Sequence, residues 1–288
     1  MNKVFYAAII SLAVLAVGCE PAIVDVSHFP ATAENTSITK KIVFIAGADS
    51  HAEGEHEHKA SVELLSLEFR QQYPEAEVVN VIGGWPLDDA MLTDADVIVI
   101  YGDGGPLHVI NDHLDAVNQL VDDGVGFVVL HYAVEVARNS ATADVMQRAI
   151  GGYFETHWSV NPFWQANFTI TPSHPINEGI ASFSLFDEWY FNIRFVDQGV
   201  TAILSAVPPG NTMERWNGAH SGNEAVREMV KAQQLQTVAW AFERNNGGRG
   251  VGYTGGHYLT HWDNPNTRQL VVNAISWTAG IPMHEPIK

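Results

Sequence analysis

Gly126-Phe127-Val128-Val129-Leu130-His131-Tyr132-Ala133 is an uncharged apolar run that ends abruptly in a titratable side chain. Continuous apolar residues, without alternation, predict a strand buried on both faces of a sheet. In a doubly wound sheet the residue that follows such a strand stands at the carboxyl edge, where ligands bind. Here that residue is His131. The only cysteine in the chain is Cys19, far from this strand, so the position offers no thiol.

The flanking segments repeat the pattern. Lys41 to Gly47 is a second apolar run closed by glycine, and Asp96 to Tyr101 a third, closed by Gly102, Gly104 and Gly105. Val78 to Ile82 reads as a further strand. Residues 57–72 place Val62, Leu65 and Phe69 on one helical side and stop before Pro74. Residues 111–122 do the same with Leu114, Val117 and Val121. Strands alternating with helices over short connections predict an α/β fold: a flavodoxin-like, doubly wound, mainly parallel sheet with helices on both faces. Further strands are expected over 164–171, 187–195, 200–206, 238–242 and 250–254, and a closing helix over 267–279 with Gly280 as its stop. One domain over 40–283 is the economical reading, with 208–236 a Pro-, Gly- and Asn-rich surface insertion holding one short helix.

The chain has 288 residues, 46% hydrophobic and 17% charged, an ordinary globular composition. Its formal net charge of −18 would repel a phosphate backbone, which sets nucleic-acid binding aside. Residues 1–18 have the form of a signal: Asn2 and Lys3, then an apolar run from Val4 to Val17 too short for a comfortable membrane span. The run ends in Leu15-Ala16-Val17-Gly18-Cys19, which resembles a bacterial lipobox. The expectation is cleavage before Cys19, lipidation of its thiol, a polar tether over 19–39 and a protein anchored to the cell envelope, facing the periplasm or the surface.

Thirteen histidines are a surplus, and several fall at predicted strand ends. Ser50 to His58 contains six His or Glu residues among nine, directly after the first strand. Histidine with carboxylate suits zinc, and also manganese or iron. We take His51 and His56, with Asp103 after the third strand, as candidate ligands of a divalent metal. The plain alternative is a polar loop before a helix whose first turn favours acids. His131 and His257, each at a strand end, are candidate bases, His257 alternatively a ligand, with Glu188 as an acid. A buried histidine that merely satisfies backbone groups is the ordinary alternative for either. Aromatic and polar residues mix over Gly151 to Trp158 and Asp187 to Phe195. Rings stack on the apolar face of a sugar while polar groups take its hydroxyls. Tyr132, His157, Trp158, Trp189 and Arg194 are therefore candidate carbohydrate contacts, against the alternative of an aromatic core. No G-x-S-x-G elbow is present, which argues against a serine hydrolase.

Seven stretches, in order, resemble the ThuA-like (trehalose utilisation) family, a branch of the class I glutamine amidotransferase-like fold: KIVFIAGADSHAEGEHEH, DADVIVIYGDGG, GVGFVVLHYAVEV, IGGYFETHWSVNPFW, DEWYFNIRF, GRGVGYTGGHY and RQLVVNAISWTAG. The resemblance spans roughly residues 40–281. It implies a sheet whose elbow carries histidine, here His131, in place of the amidotransferase cysteine. It also implies work on sugars, particularly 3-keto sugars, with a divalent metal in some members. The expected function is a lipid-anchored, metal-assisted enzyme acting on a sugar or 3-keto-glycoside as a lyase, hydratase or hydrolase. The alternative is a non-catalytic lipoprotein that binds a carbohydrate or a metal.

Overall fold

The computed structural model describes residues 39–170 and 173–283. The expected signal and lipidation site at Cys19 lie outside the described residues. The first strands are β1 (Lys41–Ala46), β2 (Glu77–Ile82), β3 (Val97–Tyr101) and β4 (Gly126–Leu130). Four short strands follow in two small antiparallel pairs: β5 (Gly152–Tyr153) with β8 (Arg194–Phe195), and β6 (Phe163–Phe168) with β7 (Phe183–Glu188). The last are β9 (Val200–Ala206), β10 (Gln236–Glu243) and β11 (Arg249–Tyr253). The main sheet has seven strands in the order β2-β1-β3-β4-β11-β10-β9. β2, β1, β3, β4 and β11 run parallel, and β10 and β9 close the sheet antiparallel. The α/β, mainly parallel architecture expected from the sequence is therefore the observed one. Its parallel part has the flavodoxin-type order, with the switch of direction between β1 and β3.

Helices α1 (His58–Gln72) and α5 (Pro265–Ala279) pack on one face, and α2 (Leu114–Asp122) and α3 (Ala141–Ile150) on the other. The period of two in the strands explains how one run serves both faces. Ile42, Phe44 and Ala46 join one hydrophobic cluster, while Val43 and Ile45 join the other. α4 (Glu224–Lys231) lies between β9 and β10. Among the described residues no helix is long and apolar enough to cross a membrane.

Two elements differ from the sequence expectation. α3 carries little apolar bulk for a search by helical spacing, since Ala143 and Ala149 fill two of its buried positions, although its caps are legible. Ser140 accepts from the Ala143 amide, and Gly151 ends the helix with φ +75°. The strand expected over 187–195 is not continuous: β7 stops at Glu188 and only Arg194–Phe195 returns to a strand. Residues 189–193 are mostly buried, and Asn192 turns the chain with φ +56°. Alternating aromatics there record burial against the core, not a pleat.

Candidate metal centre

The carboxyl edge of the parallel sheet gathers four loops. The loop after β1 brings His51 and His56, the loop after β3 brings Asp103, the turn after β4 brings His131, and the loop after β11 brings His257. The end of β7 adds Glu188 from outside the sheet. Glycine sets the close approach of these loops. A Cβ on Gly104 would lie 2.3 Å from the Tyr132 carbonyl oxygen and 2.7 Å from that of Glu135. Strain also concentrates here. Of the eight described non-glycine residues with positive φ, three are histidines of these loops: His51, His56 and His131. Such conformations are costly and persist where the surrounding structure fixes them, often at functional sites.

His56, His131, His257 and Glu188 form one buried group, with 1%, 0%, 4% and 8% exposure. His56 Nε2 lies 3.0 Å from His257 Nδ1 and 3.1 Å from His131 Nε2. Glu188 Oε2 lies 3.2 Å from His257 Nδ1 and 3.7 Å from His131 Nε2. Their outward nitrogens fix the tautomers. His131 Nδ1 lies 2.8 Å from the Thr254 carbonyl oxygen, which only accepts, so Nδ1 carries the proton and Nε2 a lone pair. His56 Nδ1 lies 3.1 Å from Asp103 Oδ1. Burial would raise the Asp103 pKa, but hydrogen bonds from His56 and Ser50 outweigh it and hold the group low, as an acceptor. His56 Nε2 is thus also a lone pair. Burial lowers both histidines, His131 well below 6.5, so both are neutral near pH 7. Two lone pairs and a carboxylate oxygen converge on one point, where a cation satisfies all of them. Ligand atoms around a four-coordinate zinc stand roughly 3.3–3.6 Å apart, given bonds of about 2.0–2.2 Å. The observed separations bracket that range. This group could hold a metal ion.

His257 differs. Burial pulls its pKa down, but the hydrogen bond to Glu188 and the charges of Glu188, Asp187 and Glu55 leave it raised. Its Nε2 is buried without a hydrogen-bond partner, 3.7 Å from Glu55 Oε1. Behind the centre, Asp187 is fully buried. It accepts from the backbone amides of Glu188 (2.6 Å), His257 (3.1 Å) and Gly256 (3.2 Å) and from His261 Nδ1. Burial would raise Asp187, yet the charge and hydrogen bond of His261, with the Glu188 amide, bring it down to about 2. His261 Nε2 pairs with the Tyr253 hydroxyl at 2.6 Å. Tyr190 OH lies 3.3 Å from both His131 Nε2 and Glu188 Oε2.

The residues expected from the sequence distribute unevenly. His56, His131, His257 and Glu188 come together. The expected ligand trio of His51, His56 and Asp103 is a second compact group on the opposite side of His56, sharing its ring. Within it, Ser50 Oγ donates to Asp103 Oδ1 at 2.7 Å and sits 2.9 Å from His51 Nδ1. His51 is exposed, and Asp103 is occupied in fixing the His56 tautomer. Tyr132 borders the centre, its ring 5.6 Å from that of His56, and burial with nearby carboxylates pushes its phenol up to about 12. Trp189 does not fit the expected sugar contact. It is fully buried, packs on Phe168, Tyr253 and His261, and its indole N–H donates to the Leu185 carbonyl. Arg194 is spent on a two-pronged pair with Glu155, over the face of Trp158 at 3.9 Å. His157 is exposed, and its amide donates to the Ala219 carbonyl at 2.7 Å.

Sequence reasoning missed Tyr190, His220 and Arg215. His220 and Arg215 come from the 208–236 insertion, which is tied to the 157–161 segment. The His157 amide reaches Ala219, the Asn161 amide reaches the His220 carbonyl at 3.2 Å, and Asn223 caps α4 and donates to the Trp158 carbonyl. His220 Nε2 thereby meets Glu135 Oε1 at 2.9 Å.

A family model described as trehalose utilisation (ThuA) matches residues 43–278. No curated protein sequence matches the chain significantly. Among solved structures, a ThuA-like protein from Bacteroides uniformis is 20% identical, with 87% of this chain and 95% of that one covered at a TM-score of 0.55. A ThuA-like protein from Parabacteroides merdae is 16% identical, with 86% and 92% covered and a TM-score of 0.54. The two structures share the fold, and the family model spans most of the sequence: the chain belongs to the ThuA (trehalose utilisation) family.

Proposed function

We propose that this protein is a lipid-anchored, metal-assisted enzyme of the cell envelope that acts on a carbohydrate, with an oxidised 3-keto-glycoside as the favoured substrate. The observation that carries the reading is the facing pair of neutral imidazole lone pairs at His56 and His131, completed by His257 and the Glu188 carboxylate. The family description supplies the carbohydrate class. His56, His131, His257 and Glu188 would hold zinc, manganese or iron, which supplies Lewis acidity toward a sugar oxygen or a bound water. This changes the roles assigned from the sequence. A ring nitrogen that donates its lone pair to a cation is not a base, so His131 acts as a ligand, and of the two roles open to His257 the ligand role is the one retained.

The chain's other residues then divide the work. Asp187 fixes the backbone of two ligand residues at once, through the amides of Glu188 and His257. Asp103 and the Thr254 carbonyl orient the rings of His56 and His131. Tyr132 and Tyr190 keep their protons and can donate to a sugar oxygen. The hydrogen bond that His220 donates to Glu135 raises the histidine, against burial, which lets it carry a proton near neutrality. A panel of 3-keto-glucosides and their parent glucosides, incubated with the zinc-, manganese- or iron-loaded chain and followed by NMR, tests the reading. Turnover of a keto-glycoside that is lost in His131→Ala and Glu188→Gln supports it. A fully loaded protein that binds these sugars and converts none would make it a binding protein.

A further inference from the structure

Arg215 has no obvious business where it stands. A chain with 33 acidic residues has carboxylates to spare, yet no described carboxylate pairs with this guanidinium. Other arginines without a carboxylate spend most of their N–H groups on backbone, although Arg244 Nε is also buried without a partner. Arg227 bonds the Met213 and Arg215 carbonyls, Arg244 those of Val121 and Gly124, and Arg249 that of Trp277. Arg215 makes one side-chain hydrogen bond, from Nη2 to Asn161 Oδ1 at 3.3 Å, and its Nη1 is buried without a partner. A buried unpaired donor on a cation is costly, and its natural complement is an anion.

The position of this donor is defined. Asn161 turns its other end to the metal centre, Nδ2 donating to Glu188 Oε1 at 2.9 Å. One amide group therefore links the Arg215 guanidinium to a ligand carboxylate, which places this cation beside the metal centre. The loop is held in place: Arg227 grips the Arg215 carbonyl, and the Asn161 amide is fixed to His220. We propose that Arg215 anchors a carboxylate on the substrate, so that the preferred ligand of this centre is an acidic sugar. The inference rests on the carbohydrate reading above. A carboxylate is favoured over a phosphate because the Glu188 charge already acts on this guanidinium, and Glu188 and Glu135 both act on His220. A single negative charge meets less repulsion there than a double one.

The test is calorimetric titration of the full, metal-loaded chain with methyl glucoside, methyl glucosiduronate and glucose 6-phosphate, repeated in Arg215→Gln and Arg215→Lys. The expected result is glucosiduronate binding at least about tenfold tighter than glucoside, as for one charge-assisted pair. That advantage, read as the ratio of the uronate and glucoside affinities within each variant, should vanish in Arg215→Gln and return in part in Arg215→Lys. Equal binding of the two glucosides by the native chain would overturn the inference and leave the carbohydrate reading standing. An advantage that survives Arg215→Gln, or glucose 6-phosphate binding tighter than the uronate, would also overturn it. Binding of none of the three would overturn the inference, while the keto-glycoside panel above decides the carbohydrate reading separately.

Discussion

Replacing Asp187 by asparagine preserves shape and removes one charge, which makes it a sharp probe of how the centre is built. With its pKa held at about 2 against an ordinary 3.8, the folded chain favours ionised Asp187 by roughly 2–3 kcal/mol at pH 7. The sign follows from the depression: this stability is present above about pH 4 and is lost as the pH falls towards 2. Asparagine lacks the charge at every pH. It also turns an NH2 group toward donors, since the Gly256 amide and His261 Nδ1 both address Oδ2. The expected cost at pH 7 is therefore at least about 2–3 kcal/mol, or roughly 5–10 °C in melting temperature for a domain of this size. Because the same carboxylate holds the amides of Glu188 and His257, metal affinity should fall about 10- to 100-fold, as for other groups that orient ligands. Urea unfolding and competitive metal titration read the two effects separately. An Asp187→Asn chain that unfolds within about 0.5 kcal/mol of the native one and binds metal equally well would refute the reasoning.

Other residues give equally direct tests. Burial holds His108 down to about 4, so its neutral form adds stability that is complete above pH 6.5 and is lost as the pH falls towards 4. The loss is about 3 kcal/mol, and the urea midpoint of His108→Gln should change less with acid than that of the native chain. His257 is raised above 6.5, so a metal must displace its proton. Apparent metal affinity should therefore climb by up to about tenfold per pH unit from pH 6 until that raised value is passed, and a flat profile would remove His257 from the ligand set. Gly104→Ala forces a methyl group against two carbonyl oxygens, so it should cost about 1–3 kcal/mol by chemical denaturation.

The sheet was legible because β1, β3 and β4 are buried on both faces, and such burial demands unbroken apolar residues. Strand-end histidines were legible for the same reason, since a titratable side chain at the end of such a run stands out. Their grouping was not, because convergence depends on loop paths: His56 reaches the centre through φ +44° and His131 through φ +50°. Trp189 shows the converse failure. Its neighbours Asp187 and Glu188 serve the site while its own ring fills the core, and composition cannot separate the two. Arg215 and His220 lay hidden in a stretch read as surface, because hydrogen bonds to residues 157–161, distant in sequence, fold it over the edge of the sheet.

The central claim is one divalent ion held by His56, His131, His257 and Glu188. The most direct measurement is metal content by inductively coupled plasma mass spectrometry on the full chain, purified without chelators and again after loading with zinc, manganese or iron. The account predicts close to one ion per chain, retained through gel filtration and lost in His56→Ala, His131→Ala and Glu188→Gln. A folded chain that carries no ion after loading, or keeps it in all three variants, would contradict it.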